Sequence, residues 1–404
     1  MEMSVRAAGV AWVRQAASTT LSGLVSSRAA GPDFLRALAI LLVMLWHLPR
    51  PATPAMLEGL KQYGWTGVDL FFVLSGYLIG TQLLAKVARG QKVNFRDFYL
   101  KRALRILPAF LVVLAVYVFL PALRENPTMQ APWRFLTFTM NFGLDYRATG
   151  GFTQAWSLCV EEHFYLVFPV LVLLLSRLRW GGWTLVLACG VLLGGMLLRA
   201  ALWEDAMSAP LADNATASLA PAYLEAIYYP TYCRLDGLLF GALLAAFKAF
   251  KPDLWRRYGD PRWTLVAGMV AIALAVLVFH YPATPGFRGP TLTLVGAVFG
   301  YPLLALGCAC VLAASLEWER AFGAWRVPGA GTIAILSYSI YLTHKLSSHA
   351  TELLFGKESM NGVGGFALYF VSSIAVGAVL WAAVERPFLL IRDRMLPPAR
   401  ATNT

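Results

Sequence analysis

Residues 34–47 read FLRALAILLVMLWH: an arginine near one end, ten residues with no ionisable side chain, then a histidine. An apolar run of this kind reads as a helix crossing a bilayer, which takes roughly 20 residues at about 1.5 Å each. Nine further runs extend the pattern outward. The ten approximate to 33–49, 66–86, 105–121, 156–176, 182–200, 224–247, 263–281, 292–315, 332–353 and 364–385. Across all 404 residues, 58% are hydrophobic and only 14% charged. Soluble domains sit nearer one half and one quarter, so the soluble class is excluded. Aromatic residues at 13% exclude intrinsic disorder. The formal charge of +12 does not point to nucleic acid, because most basic residues lie between apolar runs rather than on one soluble face. The expected fold is all-α, a polytopic membrane protein of about ten transmembrane helices whose first partner is the lipid bilayer.

Charge sets the expected orientation. With the N-terminus inside, the inner segments collect 23 Lys and Arg and the outer loops eight, namely Arg50, Lys61, Arg124, Arg134, Arg147, Arg199, Arg288 and Lys357. The excess of basic residues belongs on the cytoplasmic side, so both termini are expected there. Residues 1–32 read as a flexible leader, 33–388 as the membrane domain and 389–404 as a tail. The five cysteines all fall within expected spans, so neither disulfides nor a metal site is implied.

Ionisable groups inside spans are costly in lipid and should face the bundle interior or a cavity. Arg36, Arg102, Arg105 and Glu385 read as an inner layer. His47, Asp69, Glu161, Glu162, Arg234, Asp236 and His344 read as an outer one. Arg36 and His47 are eleven residues apart, which at 100° per residue puts them on one helix face, about 16 Å apart along the axis. Glu161 shares a face with Tyr165. Two roles stay open for it, orienting an imidazole on another helix or pairing with Arg234, its expected partner.

These segments resemble the acyltransferase-3 family of integral-membrane O-acyltransferases. The likeness runs through FLRALAILLVMLWH (34–47), GVDLFFVLSGYLIG (67–80), FYLKRALRILPAF (98–110), WSLCVEEHFYLVFP (156–169), CRLDGLLFGALLA (233–245), LSYSIYLTH (336–344) and VERPF (384–388). By position, the resemblance implies that Arg36 and His47 are essential. It sets Asp69 and Ser75 in a Gly-x-Asp motif, Arg102 and Arg105 in a basic motif, and Glu161 in the motif that opens at Trp156. Arg234, Tyr341, His344 and Glu385 are implied as structural or channel residues. The chain ends nineteen residues after Glu385. A stand-alone membrane domain is therefore expected, without the C-terminal esterase-like domain of many relatives. A separate extracytoplasmic transferase would then be a possible partner.

The implied activity moves an acyl group, acetyl in most of the family, from cytoplasmic acyl-CoA to a hydroxyl of an exported or cell-surface glycan, in a bacterial inner membrane. Acyl-CoA is a co-substrate and no tightly bound cofactor is implied. Arg36, Arg102 and Arg105 would take the CoA phosphates, since the guanidinium fork suits bidentate contacts. His47 would be the general base on the acceptor hydroxyl or a transient acyl carrier, with His344, at similar depth, as its rival, because imidazole titrates near the operating pH. Glu161 or Asp69 would orient it. The alternative is a secondary transporter with a Glu/Asp/His proton relay, which would call for paired broken helices in two halves.

Overall fold

In hydrocarbon a backbone has no water to bond, so each spanning segment satisfies its own N–H and C=O groups as a helix. A computed structural model describes residues 29–176, 182–212, 216–280, 293–323 and 326–396. Its long helices are α1 Ala30–His47, α2 Thr66–Ala88, α3 Phe95–Phe119, α4 Trp156–Ser176, α5 Gly182–Ala212, α6 Asp236–Phe250, α7 Pro261–His280, α8 Tyr301–Leu316, α9 Ala330–Phe355 and α10 Gly362–Leu380. One π turn, Gly296–Gly300, leads into α8, and another, Trp381–Glu385, carries α10 into α11, Arg386–Met395. Eight of these segments are long and apolar enough to cross a membrane; α6 and α9 are not among them. Helix α6 has 15 residues, and α9 carries serine, threonine, histidine and lysine side chains. Both pack inside the bundle, α6 against α2 and α9 against α1 and α10.

The expected boundaries shift at several places. The run expected as one helix over 224–247 is broken: a π turn at Leu224–Tyr228 and a 3₁₀ turn at Thr231–Cys233 precede α6. Pro230 lies between them with extended backbone, ψ 134°, and lacks the backbone donor that a continuing helix would need. Helix α3 begins ten residues earlier than the apolar run, capped by the Asn94 side chain, which accepts from the Asp97 N–H at 3.2 Å. The chain is helical from Ala30, inside the expected leader, and to Met395, inside the expected tail. Residues 1–28 and 397–404 lie outside the described residues.

Small residues bring α2 and α6 together. Gly76-x-x-x-Gly80 on α2 faces Gly237-x-x-x-Gly241 on α6. A Cβ at Gly76 would sit 2.1 Å from the Leu238 carbonyl oxygen, and one at Gly241 2.1 Å from that of Val73. Glycine is required there by close backbone approach, the packing mode of helices in lipid. Gly241→Val is expected to force the pair apart and lower the yield of monodisperse protein severalfold. Size-exclusion profiles in detergent check this; a wild-type profile would mean the helices yield without cost.

The connection from α3 to α4 folds inward. Phe135, Met140, Asn141 and residues 152–155 are all buried. Phe152 has left-handed backbone at φ 58°, uncommon for a bulky residue, and stacks on Tyr117 at 4.4 Å. Glu125 ties the fold-back down. It accepts from the Tyr117 hydroxyl at 2.7 Å and the Phe152 N–H at 3.2 Å, and pairs with Lys345 of α9 at 3.0 Å. Burial would raise the Glu125 carboxyl, but the Lys345 charge and these hydrogen bonds bring it below the usual carboxylate range. The consequence is that α4 starts at a buried Trp156 inside the bundle, which sets the depth of every residue after it.

Candidate active site

Two cavities meet at Val68 and Tyr341, which line both. The first, of about 100 Å³, is lined by Arg36 of α1, Ser75 of α2, Arg102 and Arg105 of α3, and Glu161 of α4. Glu161 accepts hydrogen bonds from Ser75 Oγ at 2.9 Å and the Tyr165 hydroxyl at 2.7 Å. The shared face of 161 and 165 is therefore as expected, but the depth is not. Glu161 sits with the arginines rather than in the layer of His47, because α4 begins inside the bundle. Arg36 Nη1 donates to Asp33 at 2.9 Å, one turn earlier on α1. The Arg102 guanidinium lies over the Tyr165 ring, 5.3 Å from its centroid. Neither Arg102 nor Arg105 forms an ion pair among the described residues. Their N–H forks remain available at the cavity wall, an arrangement suited to an anion.

The second cavity, of about 510 Å³, is lined by His47 and Arg50, by Gln154 and Lys345, and by aromatic side chains that include Trp65, Trp156, Tyr228 and Tyr229. The His47 Nδ1 lies 2.9 Å from the Val43 carbonyl oxygen. A carbonyl only accepts, so Nδ1 carries the proton and the neutral ring leaves Nε2 as a proton acceptor. His344 behaves the same way toward the Tyr341 carbonyl, at 2.8 Å. The two rings meet edge to face with centroids 4.8 Å apart. His47 is half-buried at the cavity wall, whereas His344 is fully buried, 0% exposed, with Nε2 unpartnered. Spacing offered them as rivals at similar depth; the fold puts them in contact and opens only His47 to the cavity.

Tyr341 stands between the cavities. Its hydroxyl donates to the Gln154 carbonyl oxygen at 3.0 Å and shares a 2.5 Å hydrogen bond with Ser157. Glu385 is on the π turn, accepting from Ser339 Oγ at 2.7 Å, and lines neither cavity.

Three expectations are corrected. Arg234 pairs with Asp69, Nη2 to Oδ1 at 2.7 Å, and not with Glu161. The Gly-packed α2–α6 contact brings the chain just before α6 against the first turn of α2, while Glu161 bonds to Ser75, six residues further along α2. Asp69 is thereby occupied and does not orient His47; that task falls to the Val43 carbonyl one turn back on α1. Arg199, counted as an outer-loop residue, is 0% exposed and pairs with Asp236 at 2.8 Å. Hydropathy ends the span at this cation, but the helix continues and the cation finds its counter-ion across the bundle. Lys345 and Gln154 escaped the sequence reading, since a lysine beside a histidine and a glutamine before a tryptophan carry no distinctive spacing.

A helical bundle that presents an arginine-lined cavity and a histidine-lined one, back to back, is built to handle an anionic group and a proton transfer at neighbouring points. The chain belongs to the acyltransferase-3 family, whose model, described as an acyltransferase domain, matches residues 30–382. It is 28% identical over 328 residues to the peptidoglycan O-acetyltransferase OatA of Listeria monocytogenes, covering 77% of this chain and 48% of that one. It is 30% identical over 231 residues to the O-acetyltransferase OatA of Staphylococcus aureus, 53% of this chain and 34% of that one. The putative peptidoglycan O-acetyltransferase YrhL of Bacillus subtilis shares 28% over 333 residues, 78% and 48% of the two chains. The chain thus spans half or less of the length of these relatives. No solved structure matches it.

Proposed function

We propose that this protein is a multi-pass O-acetyltransferase of a bacterial inner membrane, moving an acetyl group from cytoplasmic acetyl-CoA to a hydroxyl of an exported or cell-surface glycan. The observation that carries this reading is the meeting of the arginine cavity and the His47 cavity at Tyr341. The 23-to-8 bias of basic residues supports a cytoplasmic position for the arginine side. The names of the relatives support acetyl as the group and a glycan as the acceptor.

In this reading Arg36, Arg102 and Arg105 hold the CoA phosphates, and the pantetheine arm runs toward Tyr341. The acceptor hydroxyl approaches from the aromatic cavity. Its oxygen attacks the thioester carbonyl carbon while His47 Nε2 takes its proton. The C–S bond then breaks, and the thiolate leaves with the proton from the imidazolium. Whether the membrane domain completes the transfer to the polymer or hands the acetyl group to a separate extracytoplasmic transferase is decided by reconstitution of the protein alone. The test of the reading is acetyl transfer from labelled acetyl-CoA by purified protein in vesicles. Each charged hydrogen bond is worth about 1.5–3 kcal/mol, so Arg102→Ala or Arg105→Ala is expected to raise the acetyl-CoA KM by roughly 10- to 100-fold. The kcat should stay within a few-fold of wild type. An unchanged KM in both folded variants would remove the phosphate role.

A further inference from the structure

A third cavity, of about 270 Å³, opens between α4, α5 and α6. No residue that lines it lines either of the two cavities already described. Leu84, Val172, Ala188 and Ala242 form its floor and are all buried, whereas Val167 at its rim is 52% exposed. The cavity is therefore a slot that enters the bundle from its apolar outer surface.

Apart from His163, Thr184 and Thr231, the lining is hydrocarbon. Those three offer the slot little polarity. His163 Nδ1 and Thr231 Oγ1 bond to each other at 2.7 Å, and the Thr184 hydroxyl is buried. Phe164 and Phe168 stack one turn apart, centroids 4.7 Å from each other, and make one wall flat. Water needs two to four polar partners in such a space, so water does not suit it. Left empty, the walls would forfeit dispersion contacts along their whole length, which a hydrocarbon chain restores. His163 and Leu175 lie twelve residues apart on α4. The slot is thus about 18 Å long, close to the hydrocarbon of one leaflet, about 15 Å.

At the Leu175 end a further cavity, of about 470 Å³, adjoins the slot and shares Val172 with it. Gln91, Lys92 and Ser176 line this second space and all are exposed. Lys92 forms no ion pair among the described residues. Lys86 and Arg89 precede it in the same basic stretch. A leaflet-long apolar slot that ends at an exposed cation has the outline of a phospholipid, tail and phosphate in sequence. We propose that the slot holds one acyl chain of a phospholipid with an anionic head group, whose phosphate meets Lys92. On the orientation proposed above this lipid belongs to the inner leaflet, and it completes the packing of α4 against α5 and α6.

The test is native mass spectrometry of the full-length protein, delipidated in detergent and then titrated with dioleoylphosphatidylglycerol. The wild type is expected to take up one lipid saturably, above the even background of surface adducts. Ala188→Trp and Ala246→Trp each fill the slot from a different helix, so the result does not hang on one variant folding. Both are expected to lose the saturable lipid. Lys92→Gln is expected to weaken its binding about fivefold, the share of one basic residue at a membrane surface. No saturable lipid in the wild type, or one that survives in both filled variants, would overturn the inference. Unchanged affinity in Lys92→Gln would overturn the head-group contact. Acetyl transfer is not read in this assay, so failure here leaves the proposed enzyme activity standing.

Discussion

His47→Ala is expected to abolish acetyl transfer while expression and acetyl-CoA binding stay at wild-type levels. General base catalysis contributes about 10²–10⁴ in rate, and a ring at the cavity wall with a free Nε2 is the group placed to supply it. His344→Ala should retain measurable turnover. Its ring sits behind His47 with a centroid 4.8 Å away and does not line the cavity, so its loss loosens the packing of His47 without removing the base. The comparison is best made as kcat in labelled acetyl transfer, with acetyl-CoA binding measured separately. Near wild-type turnover in His47→Ala, with activity lost in His344→Ala, would move the base to α9.

Arg234→Met is expected to cost about 3–5 kcal/mol of stability, the range for removing one partner of a buried ion pair. Arg234 and Asp69 are 1% and 3% exposed. The guanidinium lies against the rings of Tyr301 at 4.2 Å and Tyr228 at 4.4 Å, with Trp156 at 5.3 Å, so neither water nor lipid headgroups can take over for it. The Asp69 carboxylate would be stranded, with Oδ2 already unpartnered. Combining Arg234→Met with Asp69→Leu should therefore recover part of the loss. Arg234→Met with Glu161→Gln should be additive, because those residues do not touch. Thermal unfolding in detergent of the single and double variants checks both statements. Additivity in the Asp69 pair would show that the contact does not couple the two residues.

Most of the long helices, though not the break before α6, and the face shared by Arg36 and His47 were legible in the amino-acid order, because hydropathy and the 3.6-residue repeat are local properties. The arginines of α3 were legible for the same reason, as was the Glu161–Tyr165 pair one turn apart. Two kinds of statement were beyond reach. The first is depth along α4: Trp156 looks like a membrane edge, yet Glu125, Phe152 and Lys345 fold the preceding connection into the bundle, which sinks Glu161 to the level of the arginines. The second is partnership across helices. Arg234 had Glu161 as its expected partner, with Asp236 a weaker candidate on another face, and Arg199 had none in view. The close α2–α6 approach at Gly76 and Gly241 gave Asp69 to Arg234, and left Asp236 for Arg199. A counter-ion in a low-dielectric interior is chosen by distance in space, and spacing along the chain carries no record of that distance until the helices have packed.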